Sequence, residues 1–155
     1  MRWYLPGLAA LTLMVAAPAA TPPNLPSAAT PVNLEVRFVV PCQPGDPVFV
    51  PVGGAEELCL AHDKVLDGSA VVKVERYPVL PKAVMVITDA ASDRLYELTY
   101  DKAGERLGFV FNGRLIFVPL IYAPVKTKEL QISLKNDPDD IDALVAAFPG
   151  AVAAP

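Results

Sequence analysis

Residues 107–121 have the sequence LGFVF-NG-RLIFVPLI, which carries the clearest local signal in the chain. Two apolar, β-branched runs flank Asn112 and Gly113, and an Asn-Gly pair tolerates the positive φ angles of a type I′ turn. The stretch therefore predicts a β-hairpin. Because proline has no N–H for a sheet ladder, Pro119 is expected at an edge or a bulge.

The chain before the hairpin predicts further strands and one helix. Residues 34–40 and 71–77 alternate apolar and polar side chains as strands do. Residues 83–88 are apolar and β-branched enough for a buried strand. Residues 57–61 are a short strand candidate, although residues 55–60 can equally form one helical turn. Asp89 stands where a helix cap is expected and Gly104 where a helix ends, so a helix from Asp89 to Lys102 is predicted. The stripe expected to face the core consists of Ala91, Leu95, Leu98 and Lys102.

The chain after the hairpin predicts one more strand and one more helix. Residues 130–134 alternate as a strand. Asp137 is expected to cap a helix that has Pro138 in its first turn and ends at Pro149-Gly150. Its apolar face consists of Ile141, Leu144, Val145 and Phe148. The order of elements predicts an α+β domain with an antiparallel or mixed sheet of about five to six strands and two helices packed on one face.

The first 32 residues differ in composition from the rest. A positive charge at Arg2, an apolar run, and small residues at Ala17 and Ala19 are the three parts of a cleavable signal peptide. A transmembrane anchor is the alternative, but the apolar run is shorter than the ~20 residues that span a bilayer. The predicted organisation is a signal peptide at 1–19, a Pro/Ala-rich linker at 20–32, one domain at 33–149 and a flexible tail at 150–155.

The charge balance argues against nucleic acid and anionic membrane surfaces as partners. The chain has 13 Lys and Arg against 17 Asp and Glu, a formal charge of −4, and cleavage after Ala19 removes Arg2 and lowers the charge to −5. Both kinds of partner require a basic surface. No later apolar run approaches membrane-spanning length, so the exported protein is predicted to be a soluble periplasmic domain without membrane insertion.

Cys42 and Cys59 are the only cysteines in the chain. An even cysteine count in an exported protein favours a disulfide, which would stabilise the fold by about 3 kcal/mol on the chain-entropy estimate. Two free thiols or a metal pair are the alternatives. A metal is disfavoured because two sulfurs do not complete a tetrahedral site and His62 is the only histidine.

The polar residues form no recognisable catalytic or metal-binding pattern. His62 is predicted to lie in a polar turn, and Glu56 and Glu57, as neighbours in a strand, would point to opposite faces. The acidic run at 137–142 lacks the spacing of a calcium loop, and no nucleophile elbow, dinucleotide fingerprint or phosphate-binding loop occurs. The sequence therefore predicts a protein that is not an enzyme and that holds no cofactor or metal.

Four aromatic residues cluster on and after the hairpin. Core packing accounts for most such residues, and an exposed subset would form an apolar interaction surface. The candidate surface consists of Phe109, Phe111, Phe117 and Tyr122.

The second half of the chain resembles the head subdomain of the first periplasmic domain of SecD, a membrane protein that assists the Sec translocon. The most specific part is residues 104–121, GERLGFVFNGRLIFVPLI, where the family pattern is GkrLAIvLDGkvisaPvI. Asn112 stands where the family usually has Asp, a change that is neutral for the turn. Looser matches lie at residues 65–68, 84–88, 94–99 and 131–133 and in the closing helix.

The resemblance implies a function in binding. In SecD this region is thought to engage emerging polypeptide, and no membrane-spanning helix follows the match here, so only binding is expected to carry over. The first hypothesis is a periplasmic, non-enzymatic module that contacts exported polypeptide or translocon and envelope proteins, by adding a strand to a sheet edge. The alternative is an accessory or inhibitor-like envelope protein that reuses the fold and acts through its disulfide-pinned N-terminal loop, residues 41–58.

Overall fold

The computed structural model describes residues 33–78, 81–134 and 138–150. The predicted signal peptide and linker, the Asp137 cap and residues 151–155 of the predicted tail lie outside the described residues. In the described part, the chain forms eight strands, two α-helices and one short 3-10 turn at Gly68–Ala70. In chain order they are β1 (Leu34–Val40), β2 (Val48–Phe49), β3 (Leu58–Asp67), β4 (Val71–Arg76), β5 (Lys82–Ile87), α1 (Asp89–Thr99), β6 (Leu107–Phe111), β7 (Arg114–Phe117), β8 (Glu129–Ser133) and α2 (Pro138–Ala147).

The α+β class is confirmed, with the strands divided between two sheets. A five-stranded sheet has the order β2-β3-β1-β6-β7, and a three-stranded sheet has the order β4-β5-β8. Every strand pair is antiparallel. Helix α1 contacts β3, whereas α2 contacts β4 and β5, so the two helices pack on different sheets. Both helices and both sheets contribute to one main core.

The short run at 57–61 belongs to a strand, and the helical-turn alternative is wrong. Strand β3 continues to Asp67, so His62 lies within a strand and the expectation of a polar turn there is also wrong. The strand is irregular at this point, because β1 pairs Val39 with Leu60 but Arg37 with Lys64. Two residue steps on β1 therefore face four on β3, and the extra residues bulge into solvent, where the polar His62 is exposed.

The five-stranded sheet is strongly curled. Strand β2 pairs with β3 at one edge, and three residues after β2 the N–H of Val52 donates to the carbonyl of Leu115 on β7, at the other edge, over 2.9 Å. Four spacings of ~4.8 Å would separate β2 from β7 by ~19 Å in a flat sheet, whereas three residues span at most ~10 Å. The two edges therefore approach each other, and residues 48–52 connect them.

Strand β6 is buried on both faces because of this curl. Its odd-numbered residues face the main core, while Gly108 and Val110 face a smaller apolar cluster inside the curl. A Cβ at Gly108 would lie 2.6 Å from Cδ2 of Leu60 and 3.1 Å from Cδ1 of Leu115. The absence of a side chain at this position therefore lets the leucines of β3 and β7 approach the backbone of β6.

Helix α1 has a different N-cap from the one predicted and ends earlier. Its N-cap is Thr88, whose hydroxyl accepts a hydrogen bond from the N–H of Ala91, and not Asp89. The helix ends at Thr99 and does not reach Lys102. Gly104, at φ 91°, belongs to the following turn, where its N–H donates to the carbonyl of Ile121 over 2.8 Å. Pairing with the segment after the hairpin, rather than helix termination, thus fixes this glycine.

The hairpin and the last helix follow the sequence more closely. Asn112 and Gly113 have φ angles of 48° and 80°, as the predicted type I′ turn requires. Strand β7 ends at Phe117, before Pro119, and the register between β6 and β7 contains a bulge. In α2, Ile141 and Leu144 are fully buried in the main core. None of the helices in the described ranges is both long and apolar enough to cross a membrane.

Candidate functional site

An apolar groove of about 310 Å³ opens between the two sheets. Its floor is formed by core residues of β1, β3, β6 and α1, and its walls by the segment after the hairpin and by β8. We call residues 119–128 the groove segment, because most of one wall lies in it. The lining residues nearest the opening include Phe117, Leu120, Tyr122, Val125 and Leu130, and Gln131 of β8 lies at its border.

Backbone hydrogen bonds fix the first half of the groove segment. The N–H of Leu107 donates to the carbonyl of Pro119 over 3.0 Å, and Ile121 both accepts from Gly104 and donates to Glu105, each over 2.8 Å. These bonds extend the pairing of the hairpin beyond β7. The groove wall is therefore as ordered as a strand, although only one isolated bridge, between Arg106 and Leu120, is formally assigned there.

A buried threonine fixes the second half of the groove segment. Thr99, at the end of α1, is completely buried. Its hydroxyl donates to the carbonyl of Leu95 over 2.7 Å and accepts from the N–H of Val125 over 2.9 Å. One side chain thus connects the helix to the wall. The predicted core stripe named Leu98 instead of Thr99, but Leu98 is 36% exposed whereas Thr99 is completely buried.

The four candidate aromatic residues occupy different environments. Phe109 and Phe111 are buried in the main core, so they do not belong to an exposed surface, because the face of β6 that carries them is covered by the rest of the core. Phe117 is partly buried and packs on Phe109 with ring centroids 5.6 Å apart. Tyr122 is 84% exposed at the rim of the groove. Of the four candidates, Phe117 and Tyr122 therefore line the groove opening, and Phe109 lies at its floor.

The outer edge of β8 lies beside this opening. The N–H of Ile87 donates to the carbonyl of Lys128, and the N–H of Leu134 donates to the carbonyl of Pro81. In an antiparallel ladder every second opposed pair is hydrogen-bonded, so these two bonds identify which pairs between β5 and β8 exchange hydrogen bonds. Leu130 and Ile132 accordingly direct their backbone groups toward β5. The residues between them direct their N–H and C=O groups outward, away from the sheet; they are Glu129, Gln131 and Ser133.

Only the first of these outward residues is satisfied within the described part of the chain. The hydroxyl of Thr127 accepts from the N–H of Glu129 over 3.1 Å and donates to its carbonyl over 3.0 Å. For Gln131 and Ser133, residues 33–78, 81–134 and 138–150 supply no partner for the outward backbone groups. These four groups form an open strand edge next to the groove.

On each of the outer strands β4 and β7, one outward backbone group is hydrogen-bonded by a neighbouring segment. On β4, the outward N–H of Val74 donates to the carbonyl of Phe148, just after α2, over 2.9 Å. On β7, the outward carbonyl of Leu115 accepts from Val52. Strand β2 is only two residues long. Proteins usually cover or shorten the edge strands of a sheet in this way, because an exposed edge can pair with other chains. Among the described residues, the open stretch of β8 differs from these edges in its position beside the apolar groove.

A disulfide joins Cys42 to Cys59, with an S–S distance of 2.03 Å and 5.1 Å between the Cα atoms. Cys59 lies on β3, where it is paired with Val40 of β1 on one side and Val48 of β2 on the other. Cys42 is exposed, while Cys59 is buried. The bond closes the loop at its base, and we call residues 41–58 the disulfide loop.

An ion pair fastens the other end of the disulfide loop. The guanidinium of Arg106 binds both carboxylate oxygens of Glu56, at 2.9 and 3.0 Å. The hydrogen bond from Arg106 lowers the pKa of Glu56 below its usual 4.5, and the same contact raises the pKa of Arg106. The backbone carbonyl of Arg106 also accepts from Val39. Arg106 therefore connects the loop, β1 and the strand-like segment that backs the groove wall.

The remaining polar residues form no reactive centre. In the described ranges, no three His, Cys, Asp or Glu side chains come together in a way that could hold a metal ion. Asp140 of α2 accepts a hydrogen bond from Arg114 at the start of β7 over 2.7 Å, which joins the last helix to the hairpin. Within the described residues, the site is thus an apolar groove with a hydrogen-bonding edge.

The comparisons with known proteins give fold similarity without sequence similarity. No protein-family model matches the chain, and no curated protein matches it in sequence. A solved structure described as a membrane component SecDF that enhances protein export matches with a TM-score of 0.60 at 17% identity, covering 80% of this chain and 65% of that one. A crystal structure of SecDF in a super-membrane-facing form matches with a TM-score of 0.56 at 18% identity, covering 80% and 20%.

The fold predicted from the resemblance is therefore confirmed: the chain has a fold similar to part of SecDF, consistent with a SecD-like head subdomain. The chain spans about 65% of the first of these structures and 20% of the second. At this level of identity the similarity concerns the fold alone.

Proposed function

We propose that this protein is a non-enzymatic, export-related module of the SecD-head type that acts in the periplasm and binds unfolded polypeptide segments in the groove between its two sheets. The observation that carries the proposal is the juxtaposition of an apolar groove with the open edge of β8. The groove accepts apolar side chains, and the edge accepts a main chain. Few ligands other than an extended polypeptide use both.

The composition of the groove supports a polypeptide over a charged small molecule. The residues nearest the opening are aliphatic, aromatic or amide side chains, and none is ionisable except the phenol of Tyr122. An unfolded polypeptide exposes apolar side chains together with unpaired N–H and C=O groups, and strand addition satisfies both. The fold similarity to SecDF, described as enhancing protein export, agrees with a client of this kind.

A second candidate function places the activity in the disulfide loop. Val48 and Val50 are each about half exposed and two residues apart, so they present an apolar face of an extended segment to solvent. An envelope protein that docks on this face would make the protein an accessory or inhibitor-like factor. The experiment that tests the groove also separates this candidate, because the disulfide loop and the groove lie at different places on the five-stranded sheet.

The test is an amide NMR titration of the oxidised, isotope-labelled protein with an unfolded secretory protein. We expect shifts confined to the groove segment and β8, with saturation at micromolar concentrations. Tyr122→Ser is expected to weaken binding at least fivefold because an exposed aromatic at the rim loses its contact area.

The matched control is Tyr100→Ser. Tyr100 is 65% exposed just after α1 and does not line the groove. Removal of this second exposed tyrosine should leave the affinity unchanged. Equal losses for both tyrosine variants, or no shifts up to high micromolar concentrations, would contradict the groove function. Shifts restricted to residues 47–52 would instead support the disulfide loop as the functional part.

A further inference from the structure

We infer that the groove selects segments with apolar residues at every second position, because the client adds to β8 as a strand in a fixed register. This inference rests on the proposed function and names the class of client. It starts from the phase of the backbone hydrogen bonds in β8, where only the outward groups of Gln131 and Ser133 are open.

The open groups fix where a client strand can pair. A residue placed opposite Gln131 in an antiparallel ladder both donates to and accepts from it, and the next such pair lies at Ser133. Pairing cannot continue toward the other end, since the hydroxyl of Thr127 already occupies both backbone groups of Glu129. The ladder is therefore short and cannot slide past Glu129.

The faces of the sheet then decide which client side chains enter the groove. Directly opposed residues in neighbouring strands lie on the same face. Leu130 and Ile132 face the core, whereas Gln131 is exposed on the other face. The client residues opposite Leu130 and Ile132 therefore point toward the groove, and the residue between them points to solvent. The recognised pattern is apolar–polar–apolar.

A slip of one residue is penalised because it reverses every client side chain. The polar residue would then enter a groove lined by Phe117, Leu120 and Val125, where it finds no hydrogen-bond partner, while apolar residues would face water. Two peptides of identical composition but different order thus differ in affinity. A groove that merely absorbs apolar surface would not distinguish them.

The central client N–H is the second element of recognition. It is the donor for the outward carbonyl of Gln131, so its removal leaves that carbonyl without the new partner. The client residue at this position has its side chain in solvent, so any polar residue is accepted there, whereas proline is excluded. At the neighbouring positions, whose N–H groups point away from β8, proline loses no bond to the sheet.

The experiment compares three nine-residue peptides by fluorescence anisotropy and NMR. One alternates valine with lysine and serine, one has the same residues with the valines in a block, and one is the alternating peptide with each of its polar residues N-methylated. We expect the alternating peptide to bind at least tenfold more tightly than either of the others, with amide shifts at Gln131 and Ser133.

The variant Gln131→Pro tests the same edge from the protein side. The N–H that it removes has no partner among the described residues, and proline is tolerated on edge strands, so the urea midpoint should stay close to that of the wild type. Affinity for the alternating peptide should fall to that of the block peptide. Should the variant fail to fold, the N-methylated peptide still provides the test.

The outcomes separate this inference from the proposed function. If the alternating and block peptides bind equally and Tyr122→Ser weakens both, the fixed register is wrong and groove binding stands. If neither peptide binds, nor does an unfolded secretory protein, both proposals fail. If the N-methylated peptide binds as tightly as its parent, the groove uses side chains alone and strand addition is overturned.

Discussion

The disulfide loop and the groove segment are both long connections with little regular secondary structure, but one covers the sheet edge beside it and the other leaves it open. The disulfide loop reaches the edge of β7 through Val52 and covers the apolar cluster inside the curl. The groove segment is also fixed by hydrogen bonds, to Thr99 and to residues 104–107, but it leaves an apolar groove and the edge of β8 open.

The difference indicates that the open edge does not result from a shortage of covering chain. A covered edge requires only one well-placed donor or acceptor, as Val52 and Phe148 show. In the groove segment, Thr127 caps Glu129 and the cover stops there, with Gln131 and Ser133 still open. The open groups of Gln131 and Ser133 lie beside the apolar groove, which is why we propose pairing at this edge.

The largest effect that would sharpen this comparison is expected from the disulfide. Replacement of both cysteines, Cys42→Ala and Cys59→Ala, removes a crosslink across 17 positions of sequence and should lower the free energy of unfolding by about 3 kcal/mol. Urea unfolding of the oxidised wild type and the double variant gives this value.

The same double variant tests whether the two connections are independent. Because the groove wall is fixed by Thr99 and by residues 104–107, the affinity of folded protein for the alternating peptide should be unchanged. A loss of affinity larger than the fraction of unfolded protein explains would show that the disulfide loop supports the groove.

The sequence predicts the parts of this fold that depend on neighbouring residues. Asn112 and Gly113 determine the hairpin turn because only a few residue types adopt positive φ. Alternation identifies most of the strands for the same local reason. Even the resemblance to SecD is concentrated in residues 104–121, where the turn and its two strands follow each other along the chain.

The candidate site was only partly predictable because its key features are contacts between distant residues. Alternation places Phe109 and Phe111 on one face of β6, but it does not reveal that this face is covered by the core. Gly104 has the character of a helix-ending residue, yet its position is fixed by Ile121. The open edge at Gln131 depends on the order of strands in the three-stranded sheet, which no local pattern encodes.

An intermediate effect is expected from Thr99, which holds the groove wall. In Thr99→Val the N–H of Val125 loses its acceptor in a buried place, and such a loss costs about 1–3 kcal/mol of stability. The alternating peptide should also bind several times more weakly, since the wall is no longer fixed to α1.

Thr99→Ser is the matched control. It keeps the hydroxyl and loses one methyl group, which costs about 0.8 kcal/mol of stability. If the serine variant keeps its affinity and the valine variant loses it, the hydrogen bond to Val125 is what holds the groove wall. If both variants bind equally well, this hydrogen bond does not support the groove.

The smallest effect concerns the ion pair between Glu56 and Arg106, and it depends on pH. The pKa of Glu56 is lowered in the folded protein by its hydrogen bonds from Arg106, so the pair contributes stability above the unfolded-state pKa of about 4.5. That contribution declines as the pH falls from this value through the lower pKa of the folded protein, where the carboxylate takes up a proton. Because Glu56 is exposed, salt should also weaken the contribution.

Urea midpoints of the wild type and Glu56→Gln should therefore differ slightly at pH 7 in low salt and coincide at low pH. The neighbouring Glu57→Gln, at a carboxylate with no ion pair among the described residues, is the control and should leave the urea midpoint at pH 7 unchanged. A difference between wild type and Glu56→Gln that persists at low pH would mean that the side chain stabilises the disulfide loop by packing and not by charge.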